Sequence, residues 1–420
     1  MKVLVVGGGG REHALVWTLS RSTRVKTLYC APGNGGTDGL AVNVPVPAHD
    51  VEGLIRLVRE FGIDWTVVGP EDPLAGGIVD RFREEGLRIF GPTAKAAAIE
   101  GSKDLAKALM ARSNIPTAAS RTFHQAHKAC AFVRQEGRPF VVKADGLAGG
   151  KGVVVAQSVD ETCRTILDML EEKKFGQAGA RILVEEILEG PEISVLAFTD
   201  GRTIVPMPWS QDHKRLLDHD RGPNTGGMGA YSPPRYVTKE LETEILETIL
   251  KPVVATMARE GNPYQGVLYA GLMLTREGPK VLEFNARFGD PEAQVILMRL
   301  ETDLVDIMEA VDDQRLHELD IRWSQDAAVG VVMASAGYPG VIETGRMIQG
   351  LETTLEGTMV FHGGTRKEEG RVVTSGGRVL TVCGRGRDLR EAVDRAYSLV
   401  ECITFEGAQY RTDIAWRSLK

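Results

Sequence analysis

A short segment near residue 285 carries side chains that could bind a metal ion and a phosphate group. In residues 282–292, the alternation of a β-strand places Glu283, Asn285 and Arg287 on one face and apolar residues on the other. A carboxylate and an amide oxygen two residues apart can share a hard divalent cation, and a guanidinium beside them suits a phosphate or a carboxylate. The segment is also compatible with an amphipathic edge strand whose polar face is solvated. Other segments of the chain are needed to distinguish the two interpretations.

The composition predicts a globular protein of about two to four domains, because 420 residues exceed what one core usually holds. A net charge of -7, without a run of Lys and Arg, argues against nucleic-acid binding. The apolar run at the start is too short for a signal peptide, and no stretch approaches a membrane span. We therefore expect a cytoplasmic protein without membrane contact, and nothing indicates an obligate protein partner.

Five scattered cysteines without a Cys-x-x-Cys motif predict reduced, mostly buried thiols, not a zinc site or a disulfide framework.

The first part of the chain alternates strands with helices, which predicts an open parallel-sheet α/β domain. The predicted strands are 2–6, 25–30, 65–69 and 87–90, and the predicted helices are 12–19, 51–61 and 76–85. A helical stretch at 94–112 follows. We predict that it forms one split α+β domain with the strand pair 267–275 and 280–287.

A smaller α+β unit, with strands near 140–144, 152–156 and 181–186, is inserted into that domain. Short β runs and a helix at 388–400 predict a last α+β unit. The predicted division is 1–100 for the N-terminal domain, 101–120 with 191–326 for the core, 121–190 for the insertion and 327–420 for the C-terminal domain.

The glycines at 7–10 follow a strand and precede a helix, which is a phosphate-binding geometry. They do not form the dinucleotide fingerprint, because position 12 is Glu and Cys30 ends the second strand in place of a ribose-binding acid. The pattern favours a small phosphorylated ligand held by the amides at 9–13 over NAD. The alternative is a glycine turn that serves only tight strand-to-helix packing.

Residues 143–152 resemble a Walker loop but fail its pattern, because Asp145 replaces the first glycine and Gly152 replaces Ser or Thr. A strand, not a helix, comes next. We predict a β-hairpin whose glycine tip lies over phosphates, with Lys143 and Lys151 as charges. A solvated hairpin is the alternative.

Four segments occur in one order: 102–104, 143–152, 184–192 and 282–292. This set resembles the ATP-grasp family, in which ATP lies between a mobile lid and a core and an acyl phosphate forms. The resemblance implies a lid formed by the inserted unit and ATP contacts from Lys103, Lys143, Gly149, Gly150, Lys151, Glu185, Glu186, Ile187 and Glu192. It implies that Glu283 and Asn285 bind Mg²⁺ or Mn²⁺. The strand before them, 269–274, offers no ligand for a second metal.

Further segments, at 7–15, 69–74, 211–215, 224–233 and 376–380, are similar to the family of ligases that join glycine to 5-phosphoribosylamine. The resemblance implies an ATP-dependent carbon-nitrogen ligase of purine synthesis, acting through a glycyl phosphate on small molecules. It implies phosphoribosylamine contacts from Gly9, Gly10, Arg11, Glu71 and Asp72, and catalytic roles for Lys214, Arg287 and Asp212.

Two alternatives share the nucleotide residues. Another ATP-grasp ligase or a biotin-dependent carboxylase would bind ATP in the same way, although the chain has no Met-Lys-Met biotinylation segment. A nucleotide-sensing protein without catalytic activity is the alternative from a different class, and it would produce no ADP.

Overall fold

A computed structural model describes residues 1–148 and 152–419. Its first sheet has five parallel strands in the spatial order third, second, first, fourth, fifth along the chain. The strands are Lys2–Gly7, Thr27–Pro32, Val42–Asn43, Trp65–Val68 and Ile89–Phe90. This confirms the predicted parallel sheet. The order reverses between the first and fourth strands, and open α/β sheets bind ligands at such a switch point.

The helices around this sheet are Gly10–Ser20, Val51–Phe61, Glu71–Ala75 and Ile78–Glu84. The helix expected near 76–85 is confirmed as Ile78–Glu84, whereas the short helix Glu71–Ala75 before it was not predicted. Gly77, in the left-handed region with a φ of 85°, separates the two.

The expected helical stretch at 94–112 is two helices, Ala94–Gly101 and Lys103–Arg112. Ser102 divides them because its backbone is extended and its side chain caps the second helix by accepting from Leu105 N. Lys103 therefore lies in the first turn of the second helix.

The inserted unit contains a four-stranded antiparallel sheet with two helices packed on it. In spatial order its strands are Ser120–Phe123, Ile182–Glu185, Val141–Ala144 and Val153–Val155. Its helices are Ala126–Glu136 and Val159–Leu170. The three predicted strands are confirmed, and the hairpin is an antiparallel pair as expected.

The central sheet has four antiparallel strands, in spatial order Ile204–Pro206, Glu192–Asp200, Gln265–Thr275 and Gly278–Asn285. Helices pack on it at Lys239–Ile245, Lys251–Arg259, Glu292–Leu297 and Leu304–Asp312.

The last five-stranded sheet joins two parts of the chain. In spatial order its strands are Gln211–Asp212, Gly229–Ser232, Ala327–Ala334, Arg378–Gly386 and Thr358–His362. Hairpins pair Arg215–Leu217 with Arg221–Asn224 and Thr365–Glu368 with Arg371–Thr374. Helices follow at Leu389–Val400, which confirms the predicted helix, and at Trp416–Leu419.

This sheet crosses residue 327, and the predicted domain boundaries stay a prediction. All five cysteines are free and only Cys402 is exposed, as predicted. Within the described residues, no helix combines the length and apolar character needed to cross a membrane.

Candidate active site

A cavity of about 430 Å³ lies where the first sheet, the inserted unit, the central sheet and the last sheet meet. Most of the predicted site residues line it. They are Arg11, Glu71, Lys103, Lys143, Glu185, Glu186, Ile187, Glu192, Asp212, Lys214, Glu283, Asn285 and Arg287. Gly9, Gly10 and Asp72 do not line the cavity, and Asp72 is exposed. Gly149, Gly150 and Lys151 lie outside the described residues.

The strand Gly278–Asn285 turns its polar side chains into the cavity as its alternation predicts. Glu283 lies opposite Gly271 on the neighbouring strand, and a register shift next to this pair leaves Leu282 without a partner of its own. Phe284 is buried in the apolar core. The strand ends at Asn285, so Arg287 follows it in a bend and reaches the cavity from there.

The donor set at Glu283 and Asn285 fits a hard divalent cation. Burial acts to raise the pKa of Glu283, but the charges of Lys214, Lys143 and Lys103 outweigh it and hold that pKa below its usual range. Glu283 is therefore ionised at neutral pH. No group of three or more His, Cys, Asp and Glu side chains suited to a metal occurs in the described part of the chain. The two oxygen donors would need phosphate oxygens or water to complete a coordination shell.

The lysines at the lid side of the cavity are held by few contacts. Lys103 Nζ donates to Gly146 O at 3.2 Å, and burial together with neighbouring Lys143 lowers the pKa of Lys103. Lys143 Nζ lies 2.9 Å from Glu185 Oε2 and also donates to Leu282 O. Because the resemblance to ATP-grasp proteins implies ATP contacts here, we call this part of the cavity, with Lys103, Lys143, Glu185 and Glu283, the nucleotide end.

Lys107 also belongs to this end, and the sequence interpretation missed it. Its Nζ lies 3.3 Å from Glu185 Oε1 and donates to Thr117 Oγ1 and Ala118 O. Glu185 thus bridges two lysines through its side chain. Lys107 lies four residues after Lys103 on one helix, and that spacing places both on the same face.

Asp145, which stands where a Walker loop has glycine, fixes the base of the hairpin. Its carboxylate accepts from Arg181 Nε at 3.0 Å and from Asp104 N at 2.7 Å. Asp145 N donates in turn to Arg181 O, and its carbonyl accepts from Lys103 N. Asp145 therefore joins the hairpin to the helix that carries Lys103.

Lys214 and Asp212 form an ion pair on the cavity wall, with Nζ and Oδ2 2.8 Å apart. Burial, reinforced by Glu292 and Glu192, raises the pKa of Asp212 to about 7 despite the opposing effect of Lys214. Asp212 raises the pKa of Lys214 well above its usual value. The lysine stays charged while the aspartate titrates near neutrality.

A network of charges lies at the opposite side of the cavity. Arg287 Nη2 lies 2.9 Å from Glu100 Oε1, and Arg287 Nε lies 3.2 Å from Glu71 Oε2. Arg11 lies 3.7 Å from the same Glu71 oxygen and 2.6 Å from Glu12. Burial would raise the pKa of Glu71, but Arg287 and Arg11 lower it to about 2.

Asp290 and Arg378 continue this network. Arg378 Nη2 lies 3.1 Å from Asp290 Oδ2, and burial would raise the pKa of Asp290, yet Arg378, Arg11 and Arg287 keep it low. We call the part of the cavity with Arg11, Glu71, Arg287, Asp290 and Arg378 the inter-domain end. The sequence interpretation did not single out Glu100, Asp290 or Arg378.

The glycine loop lies directly behind the inter-domain end. Gly9 N donates to Glu12 Oε2 at 2.5 Å, so this predicted phosphate-binding amide is bonded within the chain. A Cβ on Gly10 would lie 2.5 Å from Gln294 Nε2 and 3.6 Å from Asp290 Oδ1. A side chain at position 10 would therefore have to displace the Gln294 amide.

A buried Glu292 completes the wall between the two ends. Its Oε1 accepts from Tyr269 OH at 2.6 Å and from Ser194 Oγ at 3.0 Å. Glu292 is the last residue of the segment 282–292, and only this proximity to Glu283 and Asn285 in the sequence could have indicated its role.

The fold and the cavity define an ATP-grasp enzyme, and comparison with known proteins narrows this class. Family models described as phosphoribosylglycinamide synthetase match residues 1–100 for the N domain, 101–293 for the ATP-grasp domain and 328–417 for the C domain. The chain belongs to the phosphoribosylglycinamide synthetase family.

Curated relatives carry the same function in their names. The phosphoribosylamine–glycine ligase of Vibrio parahaemolyticus is 49% identical over 100% of this chain and 99% of its own length. That of Ralstonia nicotianae is 51% identical, covering 100% of both chains.

Solved structures agree on the fold. The crystal structure of phosphoribosylamine–glycine ligase from Thermotoga maritima has a TM-score of 0.85 and 33% identity, with 98% of this chain and 100% of that one covered. A biotin carboxylase from Campylobacter jejuni has a TM-score of 0.75 and covers 97% of this chain and 92% of its own, but its 14% identity shows a shared fold alone.

Proposed function

We propose that the protein joins glycine to 5-phosphoribosylamine in an ATP-dependent reaction that yields glycinamide ribonucleotide, ADP and phosphate in purine synthesis. One observation carries the proposal: a single cavity holds lysines and a carboxylate–amide pair at one end and an arginine–carboxylate network at the other. The first set suits ATP, and the second suits a small phosphorylated substrate. Relatives with this activity in their names match the whole chain.

The nucleotide end supplies alignment and charge neutralisation for phosphoryl transfer. Lys103 and Lys143 contact ATP phosphates, the backbone at 185–187 contacts adenine and Glu192 contacts ribose. Mg²⁺ or Mn²⁺ bound by Glu283 and Asn285 would neutralise phosphate charge. The glycine carboxylate attacks the γ-phosphorus, and glycyl phosphate and ADP result. This reaction needs no covalent nucleophile from the protein, so positioning dominates catalysis.

Lys214, Arg287 and Asp212 act in the second half of the reaction. The amine of phosphoribosylamine attacks the acyl carbon, the amide C–N bond forms and phosphate leaves. Lys214 and Arg287 neutralise the acyl phosphate, each contributing on the order of 3 kcal/mol. The attacking amine must lose a proton, and Asp212, with its pKa raised to about 7, is suited to accept it.

The inserted unit excludes water from the reactive glycyl phosphate. Leu147, Ala148 and Gly152 line the cavity next to the predicted tip. An acyl phosphate that is open to solvent would hydrolyse before the amine arrived. We place the reaction in the cytoplasm, where thiols stay reduced, which suits the five free cysteines.

ADP release in the presence of ATP and Mg²⁺ tests the proposal. We expect sustained release only when glycine and freshly generated phosphoribosylamine are both present, together with formation of glycinamide ribonucleotide. Release triggered by bicarbonate in place of glycine would favour a carboxylase. No release under any combination would favour a nucleotide sensor, and either result contradicts the proposal.

A further inference from the structure

Arg378 extends from the last sheet into the cavity and contacts Gly226 and Asp290. It begins the strand Arg378–Gly386, and its Nη1 donates to Gly226 O and to Asp290 O, each at 2.7 Å. Its Nη2 lies 3.1 Å from Asp290 Oδ2. These contacts hold the guanidinium plane in one orientation, as two-point recognition of an anion requires.

Two of the five N–H groups of Arg378 remain available. Both Nη1 hydrogens and one Nη2 hydrogen are used by the contacts to Gly226 and Asp290, and among the described residues the second Nη2 hydrogen and the Nε hydrogen have no acceptor. The side chain is 25% exposed and lines the cavity. An ordered guanidinium with two free donors facing a cavity is suited to a bidentate oxyanion.

The surroundings of Arg378 indicate which oxyanion it meets. A Cβ on Gly9 would lie only 3.6 Å from Asp290 Oδ2, so the glycine loop at the switch point of the first sheet borders the same space. The bend at 363–364 closes the other side, because Gly364 N donates to Arg378 O and a Cβ on Gly363 would lie 3.6 Å from Gly10 N. Lys103 and Lys143, by contrast, donate to Gly146 O in the inserted unit and to Leu282 O in the strand Gly278–Asn285.

We propose that Arg378, held in orientation by Asp290, binds the 5-phosphate of phosphoribosylamine. The identity of the phosphate ester rests on the proposed function, whereas the phosphate-binding role rests on the geometry. Arg287 is already paired with Glu71 and Glu100, so Arg378, with two free donors, is the better placed of the two arginines to receive the phosphate ester. Asp290 acts as a positioning residue.

The variant R378M tests the proposal, because Met keeps the side-chain length and removes the donors. We expect the Michaelis constant for phosphoribosylamine to rise about 10- to 100-fold, while those for ATP and glycine change less than about twofold. R378K should recover part of the loss. R385M is the matched control on the same strand, because Arg385 donates to Met298 O and lies outside the cavity.

Calorimetric titration of the full-length protein with ribose 5-phosphate tests the phosphate role without relying on the ligase reaction. The wild type and R385M should bind it with equal affinity, and R378M at least about 10-fold more weakly. Equal affinity of wild type and R378M would overturn the proposal, as would a raised Michaelis constant for glycine alone. If the wild type released no ADP, the proposed function would fail while the titration still decided the role of Arg378.

A structural role alone would have another signature. Arg378 also joins the last sheet to Gly226, so R378M could loosen the cavity wall. In that case all three Michaelis constants would rise together, R378K would not differ from R378M, and the proposal would be contradicted.

Discussion

The two ends of the cavity are built in opposite ways. At the nucleotide end, Lys103 has few protein contacts, and burial lowers its pKa. At the inter-domain end, Arg287 lies between two carboxylates, which raise its pKa. The nucleotide end keeps charge in reserve for a ligand. The inter-domain end compensates its charge within the protein, so it also holds separate parts of the chain together.

Loss of Glu283, the proposed metal-binding carboxylate, should have the largest effect on activity. In E283Q we expect turnover to fall at least about 100-fold, because the amide binds a hard cation poorly and an electrostatic contribution of about 3 kcal/mol is lost. Steady-state ADP release at increasing Mg²⁺ measures it. E277Q is a matched control, since Glu277 is an exposed residue of the adjacent turn. Full activity of E283Q at ordinary Mg²⁺ would remove the metal assignment.

The second prediction is that substitutions at the two ends change the stability of the protein differently. R287M leaves the buried Glu100 without its arginine, while the half-buried Glu71 keeps only the longer contact to Arg11, so we expect about 3 kcal/mol of destabilisation. K103M removes a charge that burial already disfavours, so its stability should be unchanged or raised. Thermal unfolding midpoints measure both. Equal losses in the two variants would show that the ends do not differ in this way.

The stability of the region around the glycine loop, where His13 and His362 are buried, should depend on pH. Burial and His362 lower the pKa of His13 to about 3, and burial and Lys367 lower that of His362 to about 4. Both pKa values lie below the unfolded value of 6.5, so the stability they contribute is present above about pH 6.5 and is lost as pH falls towards 4 and below.

The variant H13N should reduce this acid sensitivity by about 1.4 kcal/mol per pH unit, since one fewer proton is taken up on unfolding. Asn can keep the acceptor that His13 Nδ1 offers to His362 N. Unfolding midpoints between pH 4 and pH 7 check it. The exposed His127, replaced by Asn, serves as the control. An unchanged slope in H13N would show that His13 is not the titrating group.

The difference between the two ends of the cavity also explains which features could be predicted from the sequence. Glu283 and Asn285 lie on one strand, so alternation alone indicated their common face. The parallel sheet followed from its buried runs. The break at Ser102 is a local capping effect that the helical pattern did not reveal.

The contacts of the inter-domain end could not be predicted in this way, because they join distant parts of the chain, although the resemblance had named Arg11, Glu71 and Arg287. Arg287 and Glu71 are 216 residues apart, and Arg378 meets Gly226 across 152 residues. No periodicity or spacing encodes such pairs, and only the packing of four sheets brings them together. At the nucleotide end, by contrast, Lys107 could have been identified from its spacing of four residues from Lys103 on one helix.

The central claim, that the two ends bind different substrates, is tested most directly by comparing K143M with E71A. The Michaelis constants for ATP and for phosphoribosylamine should be measured in both. K143M should raise the constant for ATP at least about 10-fold and leave that for phosphoribosylamine unchanged, and E71A should do the reverse. If both variants raised the constant for the same substrate, the cavity would not be divided as described.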